Sequence, residues 1–173
     1  PAKNFEILIV DDGSTDGTLD FIRNELPTLL RHNLRYFYFP RSSSIEHFRA
    51  GLCRNLGAKH ASGEFLLFLD DDVLLPRTYL HDLSDLHLRW DVVQGQRWDL
   101  RPGVSSPSVQ YSSIDPKSHL RLQGGSYWKN FYSRRKQWNQ WSDSWKYVCT
   151  HSLSLRRKDF LALGGFRRTL CVY

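Results

Sequence analysis

Hydrophobic and polar positions change period several times along the first hundred residues. Phe5-Glu6-Ile7-Leu8-Ile9-Val10 is a short apolar run rich in β-branched residues, as a buried parallel strand requires. It ends in the turn formers Asp11-Asp12-Gly13-Ser14-Thr15-Asp16-Gly17. Ser14 or Thr15 is expected to cap a helix that runs to about Leu26, where Pro27 stops it. Residues 34–39 read as a second strand closed by Pro40. Ile45, Phe48, Leu52 and Leu56 then recur at spacings of three and four, which predicts an amphipathic helix to about His60. Ala61-Ser62-Gly63 turns the chain into residues 65–69, a strand expected to be buried on both faces. After Asp70-Asp71-Asp72, Pro76 suits the first turn of a helix whose apolar face holds Tyr79, Leu80, Leu83, Leu86 and Trp90. Residues 92–96 make a fourth strand. This alternation predicts an α/β fold, with a mostly parallel sheet and helices on both faces.

The pattern then decays. Residues 101–116 are rich in Ser and Pro and read as a loop, while 117–146 are polar, basic and aromatic and receive no assignment. Residues 147–155 are compatible with a strand and 156–163 with a short helix ended by Gly164-Gly165. Two parts of one domain are therefore expected, residues 1–100 and residues 101–173.

Composition sharpens the division. A chain of 173 residues with 40% hydrophobic content suits one globular domain and excludes a disordered or low-complexity chain. The longest apolar run, residues 65–69, falls far short of the roughly 20 residues of a membrane span. No signal-peptide pattern opens the chain, and Cys53, Cys149 and Cys171 lack metal-ligand spacing. Free thiols in a reducing, cytoplasmic setting are the expectation. Residues 1–86 carry 9 Lys and Arg against 13 Asp and Glu, a net −4; residues 87–173 carry 15 against 5, a net +10. All six tryptophans lie in the second part. An acidic, regular part thus precedes a basic, aromatic one.

In an open parallel sheet, ligands bind outside the carboxyl ends of the strands, and both acidic clusters fall at such ends. Up to five carboxylates would then share one crevice. Two carboxylates about 6 Å apart repel by roughly 3 kcal/mol at an effective dielectric near 20, so the cluster calls for a counter-charge. Mg²⁺ or Mn²⁺ meets that need, since both prefer carboxylate oxygens together with substrate phosphates. In an extended segment Asp70 and Asp72 face one way and Asp71 the other. The plainer alternative is a solvated acidic turn at a helix N-terminus.

Val10-Asp11-Asp12-Gly13-Ser14-Thr15-Asp16-Gly17-Thr18 resembles the nucleotide-binding signature of family 2 glycosyltransferases. Residues 51–64, with Arg54-Asn55, followed by residues 65–76, with Asp70-Asp71-Asp72, resemble that family's next block. Ser152-Leu153-Ser154-Leu155-Arg156-Arg157 with Gly164-Gly165-Phe166 is a weaker third match. The resemblance implies a GT-A (Rossmann-like) fold. It also implies transfer of a sugar from a nucleotide diphosphate donor, most often a UDP-sugar, to a hydroxyl acceptor with inversion. By position it implies nucleotide-sugar binding by Asp11, Asp12, Ser14, Arg54, Asp70 and Asp71, with Asp12 on the base. It implies Asp70 and Asp72 as ligands of Mn²⁺ or Mg²⁺. Residues 1–100 would be the nucleotide-sugar-binding half and 101–173 the acceptor-side half.

Three departures accompany the likeness. The family's first strand would precede Pro1, as Met 0 also suggests, and the Glu-Asp segment bearing the general base would follow Phe166, so both are expected to be missing. Ser152 stands where the family has Asn. No general base is named, and Asp143, Asp159 and His151 read better as structural or surface groups. The basic, tryptophan-rich part would meet a carbohydrate or lipid-linked acceptor, and Arg134-Arg135-Lys136 beside Trp138 and Trp141 also suits an anionic membrane at its inner face. A Mg²⁺-dependent phosphohydrolase or nucleotidyltransferase and a nucleic-acid-binding module are the alternatives. No nucleic-acid partner is expected, because the acidic part would repel phosphate.

Overall fold

The computed structural model describes residues 4–25, 33–41, 49–96, 98–100, 120–122 and 148–167. The chain forms two compact units, residues 1–66 with 156–173 and residues 67–155. It enters the second unit within one strand and leaves it at the end of another.

In the first unit, β1 (Ile7–Asp11) and β2 (Leu34–Tyr38) pair in parallel, with Asp11 opposite Tyr38. Their apolar runs match the sequence expectation, and their carboxyl ends lie at one edge. Between them, α1 (Thr18–Asn24) starts later than Ser14 or Thr15 would have started it. Its N-cap is Gly17, at φ 88°, and Asp16 takes the capping role instead. The Asp16 Oδ1 atom accepts from the Thr18 N–H at 3.1 Å and the Thr18 hydroxyl at 2.6 Å. Ser14 gives its N–H to Asp11 and so belongs to the turn, not to the cap.

Helix α2 (Ala50–His60) packs on β1, with Gly57 facing the Val10 side chain. Cys53 and Ala58 form its buried positions. Leu52 and Leu56 of the expected helical face lie within it, whereas Ile45 and Phe48 fall outside the described residues. Guanidinium groups neutralise its carboxyl end: Arg157 donates to the Ala58 and Lys59 carbonyls and Arg35 to His60. Cations at a helix C-terminus satisfy orphan carbonyls and oppose the macrodipole.

Helix α4 (Arg157–Ala162) ends in a double-glycine turn. Gly164 and Gly165 both have positive φ, and their N–H groups return to Leu161 and Phe160. This is a Schellman turn, in which glycine adopts the left-handed conformation cheaply. The turn delivers Phe166 to α2. The Asn55 side chain accepts from the Phe166 N–H and donates to the Phe166 carbonyl, both at 2.8 Å. A Cβ at Gly165 would come within 2.5 Å of Asn55 Oδ1. The Arg54-Asn55 and Gly164-Gly165-Phe166 motifs therefore meet, and Asn55 serves as their clamp.

In the second unit, β3 (Phe65–Leu69), β7 (Ser152–Arg156) and β4 (Val92–Gln94) form a sheet in the order β3-β7-β4. β4 runs antiparallel to β7, whereas β1 and β2 pair in parallel. β3 does not bury both faces. Leu66 and Phe68 are buried, but Leu69 is exposed at the strand's end. β5 (Trp98–Leu100) and β6 (Leu120–Leu122) make a two-stranded antiparallel sheet in a region where the sequence offered no assignment.

Helix α3 (Tyr79–His87) starts after its Thr78 N-cap, so Pro76 precedes the helix and does not sit in its first turn as expected, and the helix buries a different stripe. Leu83 and His87 are buried, while Leu80, Leu86 and Trp90 remain exposed. The reason lies in β7, whose Ser152 and Ser154 project from one face of the strand. Tyr79 Oη bonds Ser152 Oγ, and His87 Nε2 bonds Ser154 Oγ at 2.8 Å. A polar seam thus selects the helix face, because buried hydroxyls left unpaired would be costly.

The exit turn of β1 is locked from two sides. Asp11 is buried, and its carboxylate accepts from the Tyr36 hydroxyl and from the Ser14 N–H at 2.7 Å. Burial alone would push the Asp11 carboxyl up, but the bonds from Tyr36, Ser14 and Gly13 outweigh it and hold the group below its usual range. Burial first, then the Asp11 bond and charge, pushes the Tyr36 hydroxyl up to about 12.

Two outcomes follow from this packing. Asn55→Ala is expected to lower unfolding free energy by about 2 kcal/mol, read from urea midpoints, since two hydrogen bonds are lost. Tyr36→Phe is expected to cost about 1–2 kcal/mol at neutral pH. The Tyr36 value is raised on folding, so its contribution is complete below pH 10 and disappears as pH rises through about 12. Urea midpoints against pH should therefore show wild type and Tyr36→Phe converging across that interval. Asp11, lowered on folding, supplies stability above its unfolded value that is lost as acid titrates the folded carboxylate.

Candidate functional site

At the carboxyl edge of the β1–β2 pair, the ladder continues one step past the strands, with Phe39 N–H donating to the Asp11 carbonyl at 2.8 Å. Asp11 turns inward to Tyr36, so the next residue, Asp12, carries its charge toward the surface. Its side chain is 26% exposed. Two arginines hold it. Arg49 Nε donates to Asp12 Oδ1 at 2.6 Å, and Arg41 Nη2 donates to Asp12 Oδ2, also at 2.6 Å.

The two arginines differ in setting. Arg49 is 4% exposed, lies 4.2 Å over the Phe39 ring, and also donates to the Phe39 and Pro40 carbonyls. It ties the end of β2 to the start of α2 and fixes one Asp12 oxygen. Arg41 is half exposed, and its Nε donates to the Asp12 carbonyl at 2.9 Å. Gly13, at φ 80°, makes room for it: a Cβ there would sit 2.9 Å from Arg41 Cγ. Neither arginine was singled out by motif spacing. A usable signal did exist, because parallel pairing sets whatever follows β2 beside whatever follows β1. Tyr36 needs the strand register to be found, and no sequence pattern supplies it.

Cys53 lies beneath the same carboxylate. Burial, followed by the Asp12 charge, pushes its thiol up to about 11, so it is not a thiolate nucleophile at neutral pH. Arg54 is half-buried on α2.

In the second unit, Asp70 follows β3 directly and is half-buried, and its carbonyl accepts from Val73 N–H at 3.4 Å. Asp71 and Asp72 stand exposed in the turn after it. Among the described residues, no three of His, Cys, Asp and Glu converge as a ready cage for a metal ion. The oxygen-only donors Asp70 and Asp72 still suit a hard divalent ion that keeps waters and shares phosphate oxygens, a mode that needs only one or two carboxylates.

The remaining candidates sort plainly. His151 is buried with Nε2 on the Gly95 carbonyl at 3.1 Å, and Ser152 is buried against Tyr79; both are parts of the framework. Asp159 is exposed in the first turn of α4. Asp143 and the segment with Arg134, Arg135, Lys136, Trp138 and Trp141 lie outside the described residues. Among the described residues, no helix is long and apolar enough to cross a membrane.

Comparison with known proteins agrees with the geometry. Over 72 residues the chain is 42% identical to an uncharacterized glycosyltransferase of Rickettsia felis, covering 42% of this chain and 10% of that protein. Over 175 residues it is 27% identical to a validoxylamine A glucosyltransferase of Streptomyces hygroscopicus subsp. jinggangensis, covering 95% of this chain and 40% of that one. Over 87 residues it is 36% identical to a poly(ribitol-phosphate) beta-N-acetylglucosaminyltransferase of Staphylococcus aureus, covering 49% and 13%. The chain thus spans well under two thirds of the length of these relatives. The model of the family described as glycosyl transferase family 2 matches residues 1–164, and with its parallel β1–β2 pair and alternating helices the chain belongs to that family and to its α/β GT-A fold.

Proposed function

We propose that this chain supplies the donor-binding part of an inverting glycosyltransferase that takes a sugar from a nucleotide diphosphate, a UDP-sugar, to a hydroxyl on a carbohydrate or lipid-linked acceptor. Asp12 carries the reading. It is an ionised side chain at the carboxyl edge of a parallel strand pair, where open α/β sheets bind ligands, and it keeps a solvent-facing surface. An N–H on a nucleobase is the natural partner for such an acceptor. Ser14 and Asp11 shape the turn, and Arg54 is assigned a contact on the nucleotide side.

Asp70 and Asp72 are assigned to Mn²⁺ or Mg²⁺, with Asp70 and Asp71 also near the donor. When bound, the ion neutralises the charge that gathers on the departing diphosphate. What this chain's own residues would do is bind and orient: Asp12 would accept from the base, and Asp70 and Asp72 would hold the ion. The named relatives, a glucosyltransferase and an N-acetylglucosaminyltransferase, support a hexose-type donor. A cytoplasmic site of action, with peripheral contact to an anionic membrane, goes with this reading. The general base is not assigned to any residue.

The test is nucleotide binding. Asp72→Asn is expected to weaken Mn²⁺-dependent UDP affinity by about tenfold or more, measured by calorimetry, with an unchanged melting curve. Equal Mn²⁺-dependent affinity in wild type and variant would overturn the metal assignment.

A further inference from the structure

We propose that Leu86, Leu88, Trp90 and Val92 form a two-fold interface through which two copies of this chain associate. The surface lies within the second unit, and the proposal does not depend on the reading of the nucleotide site.

Apolar side chains gather on the outside of one short stretch. Leu86 and Leu88 at the end of α3, Trp90 in the turn and Val92 at the start of β4 are all exposed, Leu88 by 83% and Trp90 by 53%. The turn that carries them is nevertheless fixed. The Leu86 carbonyl accepts from the N–H groups of Arg89 and Trp90, both at 3.0 Å, and the Trp90 carbonyl accepts from His87 Nδ1 at 2.9 Å. His87 is itself buried and bonded to Ser154. Trp90 therefore stands on backbone that association would not have to order, which lowers the entropy cost of binding. Tryptophan is also a residue type that anchors protein–protein interfaces.

Charge decides which partner fits. Asp82 precedes Leu86 by one helical turn and Asp85 stands beside it in the chain, and both are exposed. An anionic bilayer would repel these acids, so the face suits protein and not lipid. A second copy supplies the complement. Leu88-Arg89-Trp90-Asp91-Val92 has tryptophan at its centre, opposite charges on the two sides and aliphatic residues at the ends, and Arg89 and Asp91 are both exposed. A two-fold axis through Trp90 makes the two copies of this stretch run antiparallel. It sets Trp90 against its mate, each Arg89 against the other copy's Asp91, and each Leu88 against the other copy's Val92. Such an isologous contact closes as a dimer.

The experiment is sedimentation equilibrium on the whole chain. Wild type is expected to show a concentration-dependent dimer, and Trp90→Ala to weaken it by about tenfold or more. Arg89→Asp and Asp91→Arg each set like charges opposite one another and should each weaken the dimer as well. Mixed in equal amounts, these two variants should recover it, because an acidic copy then faces a basic one. A wild type that stays monomeric at every concentration, a dimer that Trp90→Ala leaves unchanged, or a mixture that does not recover would each overturn the proposal. Trp90-dependent binding to phosphatidylserine vesicles by a monomeric chain would assign the face to lipid and overturn it too. Melting curves show whether each variant folds. Should a charge variant fail to fold, Leu88→Ser decides beside Trp90→Ala: both must weaken the dimer, and a dimer indifferent to either overturns the proposal.

Discussion

Two carboxylates in succession at the end of one strand impose the constraint around which this edge is built. Neighbouring anions repel, and burying either without partners would cost more than the turn can supply. The chain separates them by partner. Asp11 turns inward to neutral donors, a phenol and backbone N–H groups, and becomes part of the framework. Asp12 turns outward to two guanidinium groups and keeps a wet surface. One acid closes the turn while the next stays partly exposed between two arginines.

The same economy governs the polar seam and the glycine turn. Ser152 and Ser154 bring hydroxyls into the interior of the second unit, and Tyr79 and His87 are the groups that satisfy them. Gly164 and Gly165 bend α4 back so that Phe166 presents its backbone to Asn55. In both cases a polar requirement, and not apolar periodicity, decides which surfaces meet.

This explains what could be read from the chain and what could not. β1, β2, β3 and α2 were legible because apolar runs and turn residues mark them. Pro76 marked the approach to α3 but lies before its Thr78 N-cap, and periodicity named Leu80, Leu86 and Trp90 for its buried face, all three of which are exposed. The seam with β7 involves residues more than 60 positions away, and no local pattern reports it. Ser14 looked like a cap because Ser favours that position, but the helix starts later and the Asp16 carboxylate accepts from the Thr18 N–H and hydroxyl. The turn that carries Asp12 was legible from its motif. Arg41 and Arg49 belong to no motif, and only the parallel pairing of β1 with β2 points to them. The antiparallel placement of β4 against β7 likewise depends on a return of the chain that sequence pattern does not encode.

Hydrogen–deuterium exchange with and without UDP and Mn²⁺ tests the central claim most directly, because it reports where along the chain a nucleotide acts. The account predicts slower exchange over residues 11–17, the turn shaped by Asp11 and Asp12, and over residues 70–73. Unaltered exchange at residues 11–17 under saturating nucleotide would contradict it.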